Sequence, residues 1–201
     1  LFAADAVPED VYAHFFDATG KGELDLYVVS GGGQFVDTEE ALIDRLYLNE
    51  GGRFRKAEDA LPLMYLNGAV VKTADINGDG AQDIFVGSRS VPWNYGRSPG
   101  SYILLNDGNG GFRNATEELL PELPEIGMVT DAAFGDLTGN GRPELVIAGE
   151  WMPIQVFTYD AETGRMSAIS EELGLGFDGG LWQRILLRDV NKNGRLDIIA
   201  G

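Results

Sequence analysis

The sequence predicts an all-β fold, a β-propeller segment of four-stranded antiparallel blades. Three observations carry this prediction. A nine-residue Asp/Gly loop recurs at 17–25, 75–83, 136–144 and 189–197, always with Asp first, Gly sixth and an acid ninth, and its starts lie 58, 61 and 53 residues apart. Self-similarity on that scale marks a solenoid, propeller or array. Each loop lies between short apolar, β-prone runs. The 28 glycines, many in Asn-Gly or Asp-Gly pairs, supply turns.

Taken in order, residues 1–8 faintly echo 54–62 and read as the end of a preceding repeat. Strand A of each repeat precedes the loop, at 11–16, 69–74, 129–135 and 181–188. Strand B follows it, at 24–30, 84–88, 145–149 and 196–200. A third run (45–48, 102–105, 154–159) leads through a Gly-containing turn into a fourth (54–57, 112–115, 166–169). Four short strands per repeat are the composition of a propeller blade. Blades therefore cover about 11–59, 69–117 and 128–171, and a partial blade covers 181–201. Propellers close with about four to eight blades. Further blades of the same protein are expected to complete the ring and cover the bare sheet edges. Short helical turns are expected at 38–44, 117–120 and 170–173.

A chain of 201 residues with 44% hydrophobic content can bury a core in one large domain or two small ones. The net charge of −17, with no basic stripe, argues against nucleic acid. The acids are dispersed, unlike a disordered acidic tail. The absence of cysteine excludes disulfides and thiolate zinc sites. No stretch is long and apolar enough to span a membrane. The chain begins with Leu1 and reads as a piece of a longer precursor, so the lack of a visible signal peptide decides nothing.

The loops place oxygen-bearing side chains at positions one, three, five and nine. A hard cation such as Ca²⁺ takes six to eight oxygens at about 2.3–2.6 Å, and a curled loop with alternating carboxylates supplies them. Loop two offers Asp75, Asn77, Asp79 and Asp83 with the Ala81 carbonyl, and is expected to bind best. Loop four offers Asp189, Asn191, Asn193 and Asp197 with the Arg195 carbonyl. Loop three offers Asp136, Thr138, Asn140 and Glu144 with the Arg142 carbonyl, and its longer Glu must adapt. In loop one the fifth position is Lys21, which has no lone pair while protonated. That loop is expected to be metal-free, with Lys21 supplying positive charge. The same frame also reads as Asp/Asn/Gly-rich hairpin turns without metal. An EF-hand is excluded, because position twelve from Asp75 is Val86, inside a β-prone run.

These four loops resemble FG-GAP/VCBS repeats, as in the integrin α-subunit propeller. The turn at 106–112 and the Gly149-Glu150-Trp151-Met152-Pro153 run are similar to bacterial VCBS-repeat proteins of the ASPIC/UnbV and cartilage-acidic-protein group. The resemblance covers about 11–201. It implies a secreted, cell-surface or periplasmic binding or adhesion module. Ca²⁺ would sit in the A–B loops, and a protein or glycan partner on the face built by the B–C and D–A loops. Loss of Asp75 or Asp83 is then expected to lower stability only when calcium is present.

Other motifs fail on context. Gly96-Arg97-Ser98-Pro99-Gly100 matches G-x-S-x-G but lacks the strand-to-helix elbow, and the chain's single His14 lies in a predicted strand, facing a neighbouring blade or solvent. The G-x-G-x-x-G at 174–179 follows a helix-like run and precedes a strand, the reverse of a dinucleotide site. Trp93, Tyr95 and Arg97, in a long B–C loop, have the composition of a recognition surface. The same aromatics also read as packing between blades. No convergent acid–base set is legible, so the expected function is non-catalytic, with a propeller-based hydrolase or lyase and a carbohydrate-binding module as alternatives.

Overall fold

The computed structural model describes residues 7–35, 39–176 and 179–201. Strands β1 (Glu9–Phe16), β2 (Asp25–Gly31), β3 (Arg45–Asn49) and β4 (Phe54–Lys56) form an antiparallel sheet in chain order. Strands β5 (Gly68–Ala74), β6 (Asp83–Ser88), β7 (Tyr102–Asn106) and β8 (Phe112–Asn114) repeat that arrangement. A third sheet holds β9 (Met128–Gly135), β10 (Glu144–Met152), β11 (Gln155–Asp160) and β12 (Arg165–Ala168). The short β13 (Gly180–Leu181) adds to the far end of β10, and β14 (Ile185–Arg188) pairs with β15 (Asp197–Ala200).

The apolar runs explain this layering. Every residue of β2 and β6 is buried, because second strands lie inside their sheets and between neighbouring sheets. Their sequences are accordingly near-continuous hydrophobic runs (Leu26-Tyr27-Val28-Val29, Ile84-Phe85-Val86). The outer β12 returns to polar positions, with only Met166 buried. Three hydrophobic clusters fill the gaps between successive sheets: around Tyr27, Leu46 and Val71, around Phe85, Leu123 and Phe157, and around Val146, Val156 and Trp182.

First strands lie side by side, β1 against β5, β5 against β9 and β9 against β14. A polar chain ties them together. Lys72 Nζ donates to Tyr12 OH at 3.1 Å and pairs with Asp131 at 3.4 Å, and Asp131 accepts the Ile185 backbone N–H at 3.0 Å. His14 Nε2 lies 3.1 Å from Thr73 Oγ1 on β5, on the neighbouring-sheet side of the two placements its sequence position allowed.

Two strands differ most from the sequence expectation. β10 runs to Met152, because its extension past residue 149 pairs with β9 on one side and β13 on the other. The expected strand 181–188 is divided. Its first residues join the preceding sheet, where Trp182 N–H donates to the Gly149 carbonyl, and only Ile185–Arg188 pair with β15. Of the expected helical turns, 117–120 is α1 (Thr116–Leu119), 38–44 contains a 3₁₀ turn at Glu40–Leu42, and 170–173 is a non-helical turn. Residues 1–6 of the N-terminal echo, Thr38 and residues 177–178 of the glycine motif lie outside the described residues.

Asp44 gives the first sheet a pH dependence. It is buried and accepts hydrogen bonds from Tyr27 OH and the Ser30 N–H, both at 2.7 Å. Burial raises its carboxyl to about 7, against the lowering effect of those bonds and of Arg45. Between the unfolded value and about 7 the folded state holds a proton that the unfolded state does not. The contribution to stability is therefore present at low pH and lost as pH rises through about 7, with an upper bound on the order of 4 kcal/mol. In EDTA, Asp44→Asn is expected to flatten the fall in melting temperature between about pH 5.5 and 8.5. Parallel curves for the two proteins would refute this assignment.

Candidate functional site

The four Asp/Gly loops share a construction finer than the sequence frame. The first Asp accepts backbone N–H groups from later positions of its own loop. Asp75 accepts from Gly78, Asp79 and Gly80 at 2.8–3.0 Å, and Asp136 from Gly139, Asn140 and Gly141 at 2.6–3.0 Å. Asp189 accepts from Asn193 and Gly194, and Asp17 from Thr19, Lys21 and Gly22. This curl needs φ > 0 at position six, where all four loops have glycine, and also at position four. Position four is Gly20, Gly78 and Gly139, but Lys192 in loop four, held at φ 61°. A bulky residue there is strained.

The ninth acid is a staple beneath the loop. Asp83 is fully buried and accepts the Ile76 N–H at 3.0 Å and the Asn106 N–H at 2.9 Å, joining loop two to the third strand of its sheet. Asp25 does the same with Ala18 and Asn49, and Asp197 accepts from Val190. The longer Glu144 adapts by accepting the Leu137 and Thr138 N–H groups on one oxygen and the Thr138 and Thr158 hydroxyls on the other. Asn106 extends the fastening to the neighbouring repeat, because its amide donates to the Ala18 carbonyl of loop one at 2.9 Å. Burial pushes the Asp83 carboxyl up to about 6, against the two N–H donors and with further push from Asp79 and Asp75.

The upper donors of loop two bond to one another and to the loop. Asn77 Nδ2 donates to Asp79 Oδ2 at 2.8 Å, Asn77 Oδ1 accepts the Asp79 N–H and Asp79 Oδ1 accepts the Ala81 N–H. In loops three and four, Asn140 and Asn193 accept the N–H groups of Arg142 and Arg195, and Asn191 accepts that of Asn193. Among the described residues no three His, Cys, Asp or Glu side chains converge on one centre. In loop one, Lys21 forms no ion pair among the described residues. Slight burial acts to raise the Asp17 carboxyl, but the N–H groups of Gly22, Lys21, Thr19 and Gly20 hold it below its ordinary range.

Loops one and two border a common cavity that includes Asp17, Gly20, Asp79 and Gln82. At the other end of the first strands lies a cavity of about 510 Å³, to which all four repeats contribute, among them Val11, Asn67, Arg89, Thr130, Gln183 and Arg184. Tyr95 also lines it, and the buried Glu150 stands behind. Glu150 accepts hydrogen bonds from Arg89 at 2.5 Å, Tyr95 OH at 2.7 Å and Gln183 at 3.4 Å. Burial acts to raise the Glu150 carboxyl, and these donors outweigh it and hold it below its ordinary range. Trp151 Nε1 donates to Tyr95 OH at 3.3 Å.

Trp93, Tyr95 and Trp151 are 78%, 65% and 70% exposed, so these three do not pack between sheets; Trp182, half-buried, does. Both exposed tryptophans sit at φ 61°. Trp93 is the third residue of a turn closed by Asn94 N–H to the Val91 carbonyl, a place that favours glycine or asparagine. Arg97 lines a neighbouring smaller cavity together with Asn67 and Ser90. Ser98, of the hydrolase-like motif, accepts the Gly127 N–H. Glu150 lies in a run singled out only for its resemblance, and Arg89 and Gln183 belong to no motif. Topology alone brings them together.

The FG-GAP-like repeat profile matches residues 17–86, 92–147 and 136–200. No curated protein sequence matches the chain. Among solved structures, an Agrocybe aegerita lectin described as recognising non-reducing terminal N-acetylglucosamine superposes with a TM-score of 0.60 at 18% identity, over 96% of this chain and 48% of the lectin. Rhamnogalacturonan lyase YesW superposes with a TM-score of 0.52 at 14% identity, over 96% of this chain and 40% of the lyase. The chain thus spans about half the length of the first and two fifths of the second. At these identities the likeness is one of fold.

Proposed function

The chain belongs to the FG-GAP-like repeat family, and from that premise we propose that it is a β-propeller segment acting as a calcium-stabilised, non-catalytic binding module outside the cell or at its surface. The observation that carries this reading is the division of labour between the two ends of the sheets. One end gathers the Asp/Gly loops, and the other presents exposed aromatics around a cavity. Four first strands in side-by-side succession and the cores between successive sheets support propeller packing. Glu150 has both oxygens hydrogen-bonded, which favours a fixed binding wall over a proton-transfer group.

The donor chemistry of loops two to four fits a hard cation. Loop two brings three carboxylates and an amide oxygen into nine residues, and Asp75 and Asp79 already disfavour the charge on Asp83. Asp75, Asn77, Asp79, Asp83 and the Ala81 carbonyl would hold the ion, as would the equivalent sets at 136–144 and 189–197. A bound Ca²⁺ supplies the positive charge that relieves this repulsion. The chain's own part is to hold the curl, through the N–H groups that fix Asp75, Asp136 and Asp189 in place.

At about 1 mM Ca²⁺ and a Kd of about 0.1 mM, one site adds roughly 1.4 kcal/mol, and three add about 4 kcal/mol. Melting in excess EDTA and across a calcium titration, with magnesium as control, is expected to give a calcium-specific rise in melting temperature that Asp75→Ala reduces. A flat response would remove the metal half of the reading.

A further inference from the structure

The cavity at the recognition end has a charge that the rest of the chain does not. The sequence carries 32 acids against 15 basic residues. Yet among the described residues lining this cavity the charged ones are Arg89 and Arg184, with no acid. The uncharged lining is rich in hydrogen-bonding groups: Asn67, Ser90, Tyr95, Thr130 and Gln183. Arg89 is anchored from behind by Glu150 at 2.5 Å, which fixes its guanidinium while leaving it half exposed. Arg184 is exposed, and its side chain makes no hydrogen bond or ion pair among the described residues. A guanidinium fork matches the two oxygens of a carboxylate, and a concave site of this size suits a small organic ligand.

The rim specifies what carries the carboxylate. Tyr95 and Trp151 are joined through a hydrogen bond and remain largely exposed, and Trp151, like Trp93, is held at a strained φ. Strain of this kind persists where surrounding structure enforces it, and it clusters at ligand clamps. Rigid, flat, solvent-facing aromatic rings beside polar side chains suit the C–H face of a pyranose, whose hydroxyls then reach the polar wall.

We propose that this cavity binds an acidic saccharide, with a uronate carboxylate held by Arg89 and Arg184 and the sugar ring on the Tyr95–Trp151 pair. The proposal deepens the binding-module reading and rests on its recognition face, not on calcium.

The test is calorimetric titration of the intact chain with galacturonate, glucuronate and mannuronate trisaccharides. The same sugars with their carboxyls reduced to alcohols, and a hexaglutamate peptide, serve as comparisons. At least one uronate is expected to bind about tenfold or more tightly than its reduced counterpart, and to weaken as salt rises from about 50 to about 300 mM. Arg184→Gln is the lead variant, because its side chain is exposed and without a partner among the described residues, so the substitution is expected to leave folding intact. It is expected to weaken uronate binding by about tenfold and to erase the difference from the reduced sugar. Trp151→Ala is expected to weaken both sugars. Equal binding of acidic and reduced sugars, binding of the peptide alone, or no sugar bound by a chain that still melts higher with calcium would overturn this proposal only. No binding of any probe together with no calcium response would overturn the proposed function as well.

Discussion

Replacing Asp83 with alanine is expected to destabilise the chain by about 3–5 kcal/mol in excess EDTA, with no metal involved. Both oxygens of this fully buried carboxylate hold backbone N–H groups, of Ile76 at 3.0 Å and Asn106 at 2.9 Å. Alanine leaves two buried donors unpaired, each costing about 1–3 kcal/mol, and opens a void beneath the loop. The sequence alone leads to a different expectation, in which loss of Asp83 matters only with calcium, because it displays the ninth acid's fitness as a ligand but not the two backbone N–H groups that the same carboxylate holds. Asp75 provides the contrast. The N–H groups it accepts, from Gly78, Asp79 and Gly80, lie on an exposed loop where water can replace the carboxylate. In EDTA, Asp75→Ala is expected to cost about 1 kcal/mol, and Asp83→Asn, which keeps one acceptor oxygen, to fall between the two. Chemical denaturation of the three variants in EDTA and in calcium separates the roles. Equal midpoints for Asp83→Ala and wild type in EDTA would show that the staple contributes nothing without metal.

The staple explains which parts of the fold were legible in the sequence. Strands were readable because second strands are buried on both faces and leave a run such as Ile84-Phe85-Val86, bounded by turn residues. Loop positions one and six were readable because they require fixed chemistry, a carboxylate and a residue free at φ > 0. Position four was not, because Lys192 takes in strained form the conformation that glycine has in the other three loops. The ends of β10 and β13 were not readable either. They depend on pairing between residues 150 and 181, a contact that no local pattern encodes. The recognition end is the extreme case. Arg89, Glu150 and Gln183 come from three repeats, and each alone is an ordinary polar residue. Trp93 and Tyr95 stand out by composition, but only the fold sets Trp151 beside Tyr95 and Tyr95 on the Glu150 carboxylate.

Gly149→Ala is the second large effect expected, and it connects the fold to that wall. Gly149 sits where the β9–β10 register shifts by a residue, directly before Glu150. A Cβ there would lie 2.2 Å from the Met128 carbonyl oxygen and 2.5 Å from Met152 Sδ. The sulfur can swing away on its flexible side chain, but the carbonyl belongs to the paired strand and can retreat only if β9 and β10 part. Overpacking relieved only by backbone movement costs about 3 kcal/mol, enough to lower the melting temperature by about 6–12 °C in a chain of this size. Gly33→Ala is the control, because among the described residues nothing lies within 4 Å of its added Cβ, and it is expected to stay within about 0.5 kcal/mol of wild type. The damage should not remain local. Glu150 follows in the chain and fixes Arg89, Tyr95 and Gln183 through its two oxygens, so displacing its backbone loosens all three donors and the Trp151 ring bonded to Tyr95. Tryptophan fluorescence of Gly149→Ala, recorded well below its melting temperature, is then expected to differ from wild type, whereas Gly33→Ala leaves it unchanged. A Gly149→Ala protein with wild-type melting and fluorescence would mean that β9 and β10 tolerate the extra carbon, and that the close strand approach is not what holds Glu150 at the cavity.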